Sequence, residues 1–136
     1  MALGTNPSAH VGCMVSIPIT HHAQITADDT GGTTFTMPFK GRLISAVGTV
    51  EAIGGTTVFT DVDLVVKNGT KSETLCTLAA VDASAIVSGG GTSGPASAGV
   101  ADFEEGDVME LEIDITGGGG SPTADGITVV LYCMRE

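Results

Sequence analysis

The chain has 136 residues, with 16 Asp and Glu against five Lys and Arg, for a formal net charge of −11. That length is one domain and buries roughly two thirds of its unfolded surface, enough for one core. Lys40, Arg42, Lys67, Lys71 and Arg135 are too few and too scattered to displace counterions from a phosphate backbone, which excludes nucleic acid as a partner.

Residues 1–27 contain no Asp, Glu, Lys or Arg. Residues 1–9, with Gly, Asn, Pro and Ser, read as a loose arm. Residues 11–19 read as a strand that Pro18 ends or confines to a sheet edge. The expected division is an extended arm and first strand over 1–18 and a β-sandwich over 19–136. Residues 24–27 form a short strand, and Asp28-Asp29-Thr30-Gly31-Gly32 is a turn cluster. Residues 33–39 alternate Thr34 and Thr36 with Phe35, Met37 and Phe39, a strand ending at Pro38. Residues 42–53 predict one longer strand, with Leu43, Ser45 and Val47 on one face and Ile44, Ala46 and Val50 on the other.

Residues 57–67 set Val62, Leu64 and Val66 opposite Asp61, Asp63 and Val65. Asn68-Gly69 predicts a two-residue type I′ hairpin, because both residues accept positive φ. That register pairs Lys67 with Thr70 and Val62 with Leu75, and it leaves Leu78 on the wrong face. Either a bulge intervenes or both faces are buried. Residues 81–87 are a weaker strand. Residues 88–99 are a low-complexity loop, ordered only if something holds it.

From Val108 the chain alternates: Met109, Leu111, Ile113 and Ile115 point one way, Glu110, Glu112 and Asp114 the other. This is a half-buried antiparallel strand with a solvated acidic face. The four glycines at 117–120 predict a mobile crossing. In residues 126–134, Ile127, Val129, Leu131 and Cys133 oppose Val130, Tyr132 and Met134, so both faces are apolar and both need cover. About eight strands with Gly-rich loops predict an all-β, single-domain antiparallel β-sandwich.

No catalytic motif is present, and the chain reads as a non-enzyme without cofactor. His21 and His22 are adjacent, so on a strand they face opposite ways and do not form one metal site within a subunit; a threefold axis could gather one His from each of three chains. The acids of residues 102–114 lie along an extended strand and lack the turn that gathers calcium ligands. Cys13, Cys76 and Cys133 have no CxxC spacing and read as reduced, buried small hydrophobes of a protein made in a reducing cytoplasm. No stretch reaches membrane-spanning length. With no Trp, one Tyr and four Phe, stacking of sugars on exposed aromatics has little to work with.

The segment from Asp63 through Asn68-Gly69-Thr70, the Gly/Ser-rich loop, Phe103-Glu-Glu-Gly106-Asp107-Val108 and the strand 127–132 resembles small viral jelly rolls and the trimeric C1q/TNF-like sandwich. The run from Met37 to Val47 is similar to early strands of tailed-phage virion proteins. The resemblance covers residues 33–134. It implies a jelly-roll-like capsid decoration (cement) protein, commonly trimeric, made in the host cytoplasm and carried on the capsid surface with the major capsid protein as partner. The alternative is a receptor- or glycan-binding tail or fibre module. The expected subunit or capsid interface is Val11, Met14, Val15, Ile17, Val130, Tyr132 and Met134, anchored by the uncharged first strand adding to a partner's sheet edge.

Overall fold

The computed structural model describes residues 13–136; the expected arm over 1–9 and Val11 lie outside the described residues. The fold is all-β, with two curled antiparallel sheets. In chain order the strands are β1 (Met14–His21), β2 (Asp29–Thr36), β3 (Gly41–Thr49), β4 (Ala52–Gly54), β5 (Asp61–Asn68), β6 (Glu73–Asp82), β7 (Ala85–Ile86), β8 (Gly91–Ser93), β9 (Asp102–Phe103), β10 (Val108–Thr116), β11 (Thr123–Asp125) and β12 (Ile127–Arg135). The first sheet runs β1-β12-β3-β8, with β9 also on β3; the second runs β2-β10-β5-β6-β7; β4 and β11 form a small ribbon. The count exceeds the expected eight because two- and three-residue strands carry no periodicity of their own. The expected division at residue 18 falls inside β1, which pairs with β12 along its whole length.

One apolar cluster fills the space between the sheets. From the second sheet come Val62, Leu64, Val66, Leu78, Met109, Leu111 and Ile113; from the first come Leu43, Ala46, Ile127, Val129, Leu131 and Cys133. The alternation in β10 and β12 is thus expressed as expected, each strand turning one face to this core. The sheets pack closely at Gly48 of β3, where a Cβ would sit 2.9 Å from Leu64 Cδ1 and 3.1 Å from Leu78 Cδ1. Phe39 and Phe103 close one end, with ring centroids 5.7 Å apart.

Three bulges explain where simple alternation fails. Tyr132 pairs with Ser45 and Cys133 with Leu43, so Ile44 is the extra residue. It moves the buried set of β3 from Gly41 and Leu43 to Ala46 and Gly48, and the expected grouping of Leu43, Ser45 and Val47 is corrected accordingly. On β6, Val66 pairs with Cys76 and Lys67 with Thr74, which leaves Leu75 unpaired; Ala80 is skipped in the same way. Leu75 and Leu78 are therefore both buried, and of the two explanations for their conflict the bulge holds. The cluster at residues 28–32 is partly strand: β2 begins at Asp29, and Thr30-Gly31-Gly32 bow out opposite Glu112.

The Asn68-Gly69 hairpin is corrected in its turn. β5 and β6 are joined by the four residues 69–72, with Asn68 opposite Glu73 and positive φ at Ser72, not at Gly69. Tertiary hydrogen bonds override the local preference. Asn68 is fully buried; its Nδ2 donates to Asp107 Oδ2 at 2.9 Å, and its Oδ1 accepts from Lys71 N at 3.1 Å. Asp107 Oδ2 also accepts from Glu104 N at 2.9 Å. Burial pushes the Asp107 carboxyl up, but the Glu104 amide, the Asn68 amide and the Lys71 charge together hold it below its ordinary value. Its contribution to stability is therefore present above the unfolded carboxylate range and lost as pH falls below it.

The Gly-rich segments are held. Gly119 and Thr57 exchange backbone hydrogen bonds across the expected mobile crossing, and β8 pairs residues of the low-complexity loop with β3. Ala96 N donates to Leu75 O at 2.7 Å.

The two-residue turn with positive φ at both positions is Ala83-Ser84, at +49° and +66°, between paired Asp82 and Ala85. Neither residue favours that region. Replacing the pair with Asn-Gly is expected to stabilise the protein by about 1 kcal/mol in urea denaturation. Asn68→Ala strands the buried Asp107 carboxylate and is expected to cost about 2 kcal/mol by the same measurement at neutral pH, less in acid once Asp107 is protonated.

Candidate functional site

The outer faces of the two sheets differ sharply in charge. On the first sheet the side chains between the buried ones form cross-strand rows: Met14, Met134 and Arg42; Ser16, Tyr132 and Ser45; Pro18, Val130, Val47 and Thr92; Thr20, Thr128 and Thr49. Arg42 is the one charged residue among them, and its Nε lies 3.3 Å from Asp102 Oδ1 at the corner of the face. The bulge adds Ile44, 41% exposed, beside Tyr132 and Ser45. The centre is apolar, the periphery is hydroxyl, and the whole is nearly neutral.

The second sheet carries the acids. Glu110, Glu112 and Asp114 of β10 lie beside Lys67, Val65, Asp63 and Asp61 of β5, with Asp63 directly opposite Asp114. Lys67 is the one base on this face among the described residues, and it is engaged by Glu112. Burial, then the charges of Asp61 and Asp82, push the Asp63 carboxyl up. Burial, then Glu112 and Asp28, push up Asp114, with Lys67 opposing and Asp63 adding. Burial is the larger cause of both shifts, and repulsion among like charges on the sheet adds to it.

The expected interface residues divide. Met14, Val130, Tyr132 and Met134 share the outer face of the first sheet. Val15 and Ile17 turn the other way and pack against the core. β1 is an edge strand, but Pro18 takes one donor from its free edge, and side chains cross that edge: His21 Nδ1 lies 2.9 Å from Thr33 Oγ1 of β2. These features remove free groups from the edge at residues 18 and 21, and β1 also presents its outward side chains on the sheet face. Sequence reasoning missed Val47 and Ser45 as members of that face because the Ile44 bulge shifts the phase of β3, and a bulge leaves no periodic signal.

His21, the last residue of β1, is buried and its Nε2 approaches Asp29 Oδ2 at 3.5 Å, while His22, just past the strand, is exposed. Among the described residues no three His, Cys, Asp or Glu converge as metal ligands. Cys76 and Cys133 are buried, and burial pushes both thiols up to about 11, far from nucleophilic. Cys13, just before β1, is exposed, a correction to its expected burial, although its carbonyl accepts from Arg135 N at 2.9 Å. A shallow depression of about 380 Å³ beside the β5–β6 loop is lined by Lys67, Asn68, Gly69, Ser72, Glu73, Thr74 and Glu110. Its lining holds the carboxylates of Glu73 and Glu110, the hydroxyls of Ser72 and Thr74 and the amine of Lys67.

Because Asp63 and Asp114 are held above the unfolded value of 3.8, the native state takes up protons first as pH falls. The repulsion they contribute is full at neutral pH and relieved as pH drops through the folded values toward the unfolded one. Asp63→Asn is expected to stabilise the protein by about 0.5 kcal/mol at pH 7, discounted for exposure, and to lose that advantage near pH 3, read by thermal melts at the two pH values.

Compared with protein-family models and with curated proteins, the chain matches none.

Proposed function

We propose that the chain is a structural virion protein, a jelly-roll sandwich that decorates and stabilises a phage capsid as a homo-oligomer, trimeric by its resemblance to such proteins, and that it performs no catalysis. The carrying observation is the order in which the chain visits the sheets. β1, β3, β8 and β12 belong to one and β2, β5, β6 and β10 to the other, arranged β1-β12-β3-β8 and β2-β10-β5-β6. The first strand neighbours the last, and the second long strand neighbours the next to last. That nesting of two Greek keys supports the jelly-roll reading, and the architecture serves viral capsid domains and lectins. Fold alone does not choose between those uses. The scarcity of aromatics and the resemblance of residues 37–47 to phage virion proteins favour the capsid.

The division of charge supports the same role. A decoration protein needs one surface that tolerates close protein contact and another that keeps the particle soluble. The neutral face and the acidic face meet those needs.

Purified protein added to capsids that lack it is expected to sediment with them and to occupy regular lattice positions in electron micrographs. Decorated capsids should survive heating or low salt that opens undecorated ones. Binding to glycans or to tail tips, with bare capsids left undecorated, would replace this reading with the receptor-binding one.

A further inference from the structure

We propose that the outer face of the first sheet is the surface on which one copy of this chain packs against a second copy. The inference rests on the self-association in the reading above, not on the capsid and not on its threefold count, since a face that meets the same face of a second copy closes as a twofold pair.

Charge selects the occupant. Two copies of a chain with net charge −11 repel each other at long range. They repel most strongly through the face of Asp61, Asp63, Glu110, Glu112 and Asp114. The face of Pro18, Val47, Val130 and Tyr132 is where copies can meet without bringing carboxylates together. A basic partner would be drawn to the acidic sheet instead, and the neutral face has no charge with which to orient it. What the neutral face offers is apolar surface and hydroxyls, and a second copy presents the same chemistry in return.

Size sets the strength of the contact. β1, β3 and β12, of eight or nine residues, are about 27 Å long and span about 14 Å, and the three-residue β8 adds one short rung, which makes about 430 Å² per copy. Two such faces remove about 900 Å² from water, the scale of a weak, transient interface. The contact is therefore reversible, and its composition is that of an interface centre, depleted in charge and built around a tyrosine.

Tyr132 makes the face directly observable. The chain has one Tyr and no Trp, so fluorescence excited in the tyrosine band reports this face alone. In the full-length protein, light scattering is expected to give an oligomer at high concentration that dissociates on dilution. Quenching of tyrosine fluorescence by acrylamide should rise several-fold over the same range. Val130→Lys, at the centre of the face, should yield a monomer. Should that variant fail to fold, Met14→Glu, at a position 54% exposed, and Thr128→Glu, at the hydroxyl periphery of the same face, should still shift the midpoint at least tenfold toward monomer, with unchanged far-ultraviolet circular dichroism. Glu110→Gln, on the opposite sheet, should leave the oligomer intact. An oligomer that Met14→Glu with Thr128→Glu disperses supports the inference even where no capsid is bound, which separates it from the capsid reading. A monomer at all concentrations, or an oligomer indifferent to both face substitutions, overturns it. Tyrosine protection that does not change with dilution also overturns it, because the cover then comes from within the chain.

Discussion

Everything in this molecule depends on two sheets burying their inner faces against each other at a fixed spacing. At Gly48, Leu64 and Leu78 of the second sheet reach the backbone of β3. A strand has one inward set in every two residues, so a single apolar cluster forces all seven long strands to agree on which set is inward. Where the pairing and the phase disagree, the chain inserts a residue. Ile44, Leu75 and Ala80 are those insertions, and each lets a strand keep its hydrogen bonds while changing which side chains it buries.

The same constraint distributes the charge. Once the inner faces are assigned, the remaining positions of β5 and β10 must face outward, and these hold Asp61, Asp63, Glu110, Glu112 and Asp114. The outward positions of β1, β3 and β12 hold Ser, Thr, Pro, Val, Ile, Tyr and Met, with one Arg, Arg42, paired to Asp102 at the corner. Repulsion among the acids is tolerated because each carboxylate keeps part of its hydration, and Lys67 with Glu112 offsets some of it. An acidic protein thereby acquires one surface free of its own field.

Buried polar groups pin the ends of the sheets where apolar packing cannot. The Asn68–Asp107 bond ties the β5–β6 loop to the turn before β10, and the amides of Lys71 and Glu104 complete the partners of both side chains. His21 with Thr33 links the free edges of the two sheets on one side. On the other, Gly91 of β8 lies against the backbone of Ala79 of β6. These links, rather than turn propensity, set how the sheets curl. They also explain why a dipeptide favouring a tight turn does not form one: burying the Asn68 amide against a carboxylate is worth more than a preferred φ at Gly69.

The alternation of Val108 to Ile115 and the two-sided apolar pattern of residues 126–134 were legible in the amino-acid order, because period two survives in any antiparallel pairing with one buried face. Strand-period patterning and Gly-rich turns likewise made the all-β class legible, since neither needs coordinates. The register of β6 was not, because Leu75 and Cys76 are equally apolar and only the partner strand says which is paired. Nor was the membership of the neutral face: Val15 and Ile17 look as available as Met14, and Val47 was assigned with Leu43. Facing is a property of a strand's neighbours, and those neighbours lie far away in the chain: β1 beside β12, and β3 beside β12 and β8. Local order determined which residues alternate; long-range pairing decided which alternate set meets the core and which is left for a partner.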